Sequence, residues 1–256
     1  MKKLVMFMSL VWLVAGVGTT NATTYSFGFD SGISSQWSGI THLESVQGYA
    51  GLGSGSNVFS GNFLRNESGG YVSTPTPSVL TLTGLPVHTS VSLGFLLAVI
   101  DSWDGNSNEI IEHYPVGPDY FNVRVVDGNN IWTFSQTFTN FTNVSQSYSG
   151  PKLAGGPSTR GFNPTWLDSA YDMGLDPGFQ NIPHTGATLT VEWFASGGGW
   201  QGENALFSYT HDESWAIDNV RVTLNDVHAP LPPTFFLLGS GLLGLGLLGF
   251  WKKSHA

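Results

Sequence analysis

Between Thr23 and Ala229 apolar residues recur at every second position, and no stretch holds a helical period for three turns. Tyr25, Phe27 and Phe29 alternate with small or polar neighbours, as do Val91, Leu93, Phe95, Leu97 and Val99; Phe121, Val123 and Val125; and Leu189, Val191 and Trp193. A period of two turns one side of each run toward a core and the other toward water, as strands require. In the run from Val91 to Ile100 the intervening Leu96, Ala98 and Ile100 are apolar too, so this strand is expected to be central and covered on both faces. Asp127-Gly128-Asn129-Asn130 separates two alternating runs and accepts positive φ, which predicts a hairpin. The expected fold class is all-β and antiparallel.

From Trp215 to Leu224 the apolar parity changes between Ile217 and Val220, which predicts a bulge at Asp218-Asn219 that re-aims a carboxylate. Loops rich in Gly, Ser, Asn and Pro are expected at residues 48–61, 102–118, 150–184 and 196–204. The third is too long for a structureless connection, so it holds a short element or forms a binding feature.

Both ends of the chain read as membrane-engaging. Lys2 and Lys3 precede an apolar stretch from Leu4 to Val17 and a small or polar run to Ala22, the pattern of a secretory signal cleaved after Ala22. At the other end Pro230-Leu231-Pro232-Pro233 leads into an uncharged apolar run that stops at Lys252 and Lys253. Thr234 to Trp251 is 18 residues, a helix of about 27 Å, barely enough for a hydrocarbon core of about 30 Å. The expected organisation is residues 1–22 as signal peptide, 23–229 as β-sandwich ectodomain and 230–256 as a sorting signal with one transmembrane helix in the inner membrane. The proline box, the Leu/Gly run and the two lysines resemble the C-terminal signal of PEP-CTERM proteins, although Leu231 stands where glutamate is usual and the basic cap is short. The resemblance implies an exosortase-type processing enzyme as partner, cutting near residues 230–234, and a product destined for the cell envelope or the extracellular space. It implies nothing about biochemical activity.

Five basic residues (Arg65, Arg124, Lys152, Arg160 and Arg221) face all 18 acids of the chain within residues 23–229, a formal charge of −13. That sign excludes nucleic acid and anionic membrane surfaces as partners and supplies carboxylates for cations. The chain has no cysteine, which removes thiol catalysis and thiolate metal sites and leaves stability to the core and to any bound metal.

Phe27 to Asp30, Asp101-Ser102-Trp103-Asp104-Gly105 and Trp215 to Val222 together resemble concanavalin A-like jelly rolls of the MAM or laminin-G type. The resemblance implies a jelly-roll sandwich of a superfamily whose members often bind glycans or proteins and often hold structural calcium. Calcium takes about six to eight oxygens. Asp30 and Asp218, at the first and last strands, could share one such ion, with a turn aspartate at each position as the alternative. Asp101 to Asn106 fails the EF-hand spacing and reads as an Asp-Gly turn. Trp103, Trp166 and Trp200 fall in expected loops, where a flat indole can stack on a sugar ring, whereas Trp132, Trp193 and Trp215 fall in strands and read as core.

Hydrolytic motifs are missing: there is no Gly-x-Ser-x-Gly, no His-Glu-x-x-His and no phosphate-binding loop. Glu109 and Glu112 are a pair of the sort that any acidic domain offers, and the histidines are scattered without ligand spacing, most of them read as surface or loop residues. The expectation is a non-enzymatic, exported surface or matrix protein that binds extracellular polysaccharide or a surface protein. A glycan hydrolase or lyase on the same fold and a purely structural coat protein are the alternatives.

Overall fold

A computed structural model of the chain describes residues 22–40, 42–67, 76–108, 110–111, 114–115, 117–153, 157–162, 164–197 and 213–225. The expected signal peptide and C-terminal helix lie outside these residues, as do Trp200, Glu109, Glu112 and the motif residues Pro230, Leu231, Pro232, Pro233, Lys252 and Lys253. Among the described residues no helix is long and apolar enough to cross a membrane.

The described residues form an all-β sandwich of two antiparallel sheets. In the seven-stranded sheet, Ser169–Asp172, Ser90–Ile100, Ser214–Asn225, Asn62–Asn66 and His42–Ser45 lie side by side, with Thr23–Phe27 added to Ser214–Asn225 and Ile182–Pro183 to Ser90–Ile100. In the five-stranded sheet the order is Asn130–Thr137, Asp119–Asp127, Thr188–Gly197, Ser78–Thr83 and Trp37–Gly39. The hairpin forms as its turn residues predict, with Asp127 opposite Asn130. First and last strands are neighbours, Phe27 facing Val220.

The inward side chains of both sheets make the main core, in which Phe95, Phe121, Trp193 and Trp215 are fully buried. Ser90–Ile100 runs through the centre and is buried on both faces from Phe95 onward. A second cluster explains this: Tyr49, Phe59 and Phe63 pack on Leu96, Ala98 and Ala216 against the outer face of the seven-stranded sheet, with Leu153 and Phe162 from the long 150–184 segment above them. That segment carries Ser169–Asp172 and two 3-10 turns, Met173–Leu175 and Pro177–Phe179, in keeping with its length. The outer face of the five-stranded sheet is wetter, with Tyr120, Arg124, Glu192 and Phe194 half-buried between core-facing neighbours.

Candidate functional site

The covered end of the seven-stranded sheet carries an open cavity of about 330 Å³. Its centre is Arg65, only 3% exposed, on the strand next to the edge. Strand pairing places His42 opposite it and Glu44 two residues further along the edge strand. A buried guanidinium must be paired on every side, and this one is. Nη1 donates to Glu44 Oε2 at 2.8 Å and meets Glu67 Oε1 at 3.2 Å, while Nε and Nη2 donate to Ser214 Oγ at 3.0 and 2.8 Å. Phe162 covers the guanidinium, whose Cζ lies 4.5 Å from the ring centroid, and the same ring stacks on Phe63.

The remaining lining comes from strained backbone. Gln47 (φ 43°) and Asp101 (φ 69°) both border the cavity. Positive φ costs a residue other than glycine about 1–3 kcal/mol and persists where the surroundings impose it. At Asp101 the imposing contacts are visible: its N–H donates to Asp168 Oδ1 at 2.9 Å, and its carbonyl accepts from Asn140 Nδ2 at 2.6 Å. Asp168 also accepts from Arg160 N at 2.7 Å, and burial pushes its pKa up. Beside Gln47, the N–H of Gly48 donates to Arg160 O; a Cβ at Gly48 would stand 2.0 Å from that oxygen, so only glycine fits.

Next to this cavity the loop after Ser90–Ile100 and the starts of Asp119–Asp127 and Ser214–Asn225 bring carboxylates together. Ligand oxygens of Asp104, Asp119 and Glu213 lie within 4.8 Å of one another, and Asp119 and Glu213 are buried. Asp104 N donates to Asp119 Oδ2, and Asp119 N donates to Gly105 O, which fixes two of the three. An all-oxygen, acid-rich set whose members span no more than about twice a Ca–O bond fits calcium. Asp104 sits at the expected Asp-Gly turn and is also one of the three. Glu213 and Asp119 go unnoticed in the sequence because nothing local marks them; only the antiparallel packing sets them beside Asp104.

Asp30 and Asp218 also come together, around the turn at residues 60–62. Asp30 Oδ1 accepts from Asn62 N at 2.8 Å, and Asp218 accepts from Ser60 N at 3.3 Å and Asn219 N at 2.7 Å. A Cβ at Gly61 would stand 1.9 Å from Asp30 Oδ1. The predicted bulge is present, a register shift between Asp218 and Arg221. Asp218 is buried, and desolvation, with the Asp30 charge adding, pushes its pKa up to about 6. These two carboxylates are engaged by backbone N–H groups.

Among the tryptophans, Trp103 is a correction. It is fully buried, edge-on to Phe138, and its Nε1 donates to Ser214 O at 2.9 Å, so its indole is closed to a sugar. Its place in a loop misleads because that loop folds beneath the chain rather than over water. Trp166 is 40% exposed and meets Phe141 edge-on, so it remains available. Trp193 and Trp215 are core, and Trp132 packs against it, as their strands predict. Two of the loop histidines, His88 and His184, are buried and joined, His88 Nε2 to His184 Nδ1 at 2.7 Å.

The class defined by fold and geometry is an acidic antiparallel β-sandwich with a polar cavity and a carboxylate cluster at one end. No family model matches the chain, and no curated protein does. Among solved structures it is similar to the K2 cleaved adhesin domain of Lys-gingipain, at 11% identity and a TM-score of 0.37 over 79% of this chain and 98% of that one. It is also similar to the xylan-binding module CBM15, at 10% identity and a TM-score of 0.28 over 79% and 97%. A third is the CBM22-1–GH10 part of the Clostridium thermocellum xylanase 10B, at 10% identity and a TM-score of 0.31 over 82% of this chain and 29% of that chain.

Proposed function

We propose that this chain is an exported surface or matrix protein, a jelly-roll sandwich that binds glycan in the Arg65 cavity and is sorted by its C-terminal tail. The observation that carries the reading is the cavity itself. It combines an aromatic ring, Phe162, with hydrogen-bonding groups held in fixed positions, Arg65, Glu44 and Glu67. Sugars present the complementary surface: hydroxyls that both donate and accept, and an apolar ring face. A volume of about 330 Å³ suits a small ligand or the end of a chain.

Calcium belongs to the same reading. Asp104, Asp119 and Glu213 would hold it, and a bound ion would neutralise three like charges and lock the loop and the two strand starts together. Ser214 follows Glu213 directly and accepts from Arg65, so order at the ion is passed to the wall of the cavity. The tail and signal peptide give the route of export, supported by the charge-free run before Lys252 and the small residues before Thr23.

One observation favours a hydrolase as the second reading. Glu44 and Glu67 both meet Arg65 Nη1, at 2.8 and 3.2 Å, so these two oxygens are close together, as in retaining glycosidases with carboxyls about 5–5.5 Å apart. A cation between them opposes it, because that mechanism needs one carboxyl to carry a proton. A glycan array on the full-length protein, followed by a product assay on every polysaccharide bound, tests both. Binding without release of sugars is expected. Release of sugars that is lost in Glu44→Gln would replace binding by hydrolysis, and an array without signal would leave the coat-protein reading.

A further inference from the structure

We infer that Arg221 anchors a second binding site, apart from the Arg65 cavity, for the carboxylate of an acidic sugar. Five lysines and arginines fall among the described residues, and four of them are engaged. Arg65 meets Glu44 and Glu67, Arg124 meets Glu192, and Lys152 donates to Thr139 O. Arg160 lies over the Tyr49 ring, 5.6 Å from its centroid, and its charge acts on Asp168. Arg221 is exposed and has no side-chain hydrogen bond, ion pair or ring contact among these residues. The fold keeps it so. In register it stands between Ser26 and Gly94, neither of which brings a charge. It reaches this face because the bulge after Asp218 adds one residue; without it Val220 would stand opposite Gly94 and Arg221 would turn toward the core. The nearest carboxylates along the two strands, Asp30 and Asp218, accept from backbone N–H groups, and the charge that acts on Asp218 is that of Asp30, not that of Arg221. Beyond Gly94, Asp172 and Asp176 accept from Gly174 N and Gly178 N.

An open cavity of about 260 Å³ lies against Arg221. Thr24, Ser26 and Gly28 line it from the first strand, Asn219 from the bulge, and Phe27 and Val220, which face each other in register, complete it. Asn219 takes a φ of 50°, which asparagine accepts more readily than most residues, and its Nδ2 donates to Val58 O at 2.8 Å. Its Oδ1 and the Ser26 hydroxyl have no hydrogen-bond partner among the described residues. A Cβ at Gly28 would stand 4.0 Å from Asn219 Oδ1, so the glycine leaves this oxygen open. The donor set defines the ligand. A guanidinium fork holds a carboxylate through two parallel hydrogen bonds, and the Ser26 hydroxyl supplies a third donor. Asn219 Oδ1 accepts from a hydroxyl. A uronic acid carries a carboxylate and hydroxyls on one ring, so it answers both. The net negative charge of the domain opposes this only locally, because salt screens exposed charges beyond about 8 Å.

The test is a calorimetric titration of the full-length protein at neutral pH with oligogalacturonate and with the same oligomer methyl-esterified at its carboxyls. The free acid should bind about tenfold or more tightly than the ester, a preference that weakens as salt is raised. Acetate at the same carboxylate concentration should not displace it. Arg221→Gln should abolish the preference at an unchanged melting temperature, since this side chain has no partner to lose. Phe162→Ala, in the Arg65 cavity, should leave the preference intact, so the two sites are read separately. Equal binding of acid and ester, or a preference that survives Arg221→Gln, overturns the inference and leaves the Arg65 reading standing. A preference lost in Phe162→Ala also overturns it, by placing the acid in the Arg65 cavity, and displacement by acetate overturns the assignment to a sugar.

Discussion

Ser214 ties the two halves of the site together. Its hydroxyl accepts twice from the Arg65 guanidinium and its carbonyl accepts from the Trp103 indole, while Glu213 immediately before it joins the carboxylate cluster. Hydrogen bonds to a buried charge are worth about 1.5–3 kcal/mol, and leaving the charge short of partners costs at the upper end. Ser214→Ala should therefore destabilise the protein by ~2 kcal/mol or more in a urea titration, and should weaken ligand binding beyond what stability explains. An unchanged midpoint would mean that water replaces the hydroxyl and that Ser214 does not organise the cavity. None of this is legible locally: Arg65 and Ser214 are 149 residues apart, and the loop tryptophan that pins Ser214 looks from sequence like a surface residue.

At the scale of elements, alternation reads well because a strand's period depends only on its own residues. The central strand from Ser90 to Ile100, the hairpin at Asp127 to Asn130 and the bulge after Asp218 all follow from pattern and turn chemistry. What covers each face does not, because Tyr49 and Phe59, which join Phe63 in that layer, come from a segment without a repeating pattern. The histidine pair is hidden for the same reason. His88 Nδ1 donates to Pro86 O, which leaves Nε2 to accept from His184 Nδ1. An added proton must then go to the buried His184 Nε2, 3.9 Å from Asp127 Oδ1. Asp127 is itself held ionised by the Thr185 N–H, with the Gly186 N–H adding. Burial lowers the His184 pKa, and the Asp127 charge only partly opposes this. The folded state thus resists a proton that the unfolded chain accepts below about pH 6.5, so this contribution to stability is present above that value and lost as pH falls through it. The stability difference between the parent and His184→Gln should shrink on acidification, measured by paired denaturant titrations at neutral and acid pH. A difference independent of pH would show that the pair titrates as it does in water.

For the molecule as a whole, a domain of this charge and without disulfides has to manage repulsion among its own carboxylates. The proposed calcium ion at Asp104, Asp119 and Glu213 would do so. Binding only to the folded state, it should add about 2.7 kcal/mol when free calcium is ~100 times the dissociation constant. Chelation should lower the melting temperature of the parent, Asp119→Asn and Glu213→Gln should remove that response, and Asp218→Ala should retain it. A response lost in Asp218→Ala and kept in Glu213→Gln would move the ion to Asp30 and Asp218.

The central claim is that the Arg65 cavity holds a glycan, and Phe162 tests it most directly because it lines the cavity and covers the Arg65 guanidinium. Calorimetric titration of the full-length protein and of Phe162→Ala with the same array-selected oligosaccharide should show affinity falling about tenfold in the variant, ~1.4 kcal/mol, at the stoichiometry of the parent. Full affinity in Phe162→Ala would contradict the account, and would place the glycan elsewhere on the sandwich.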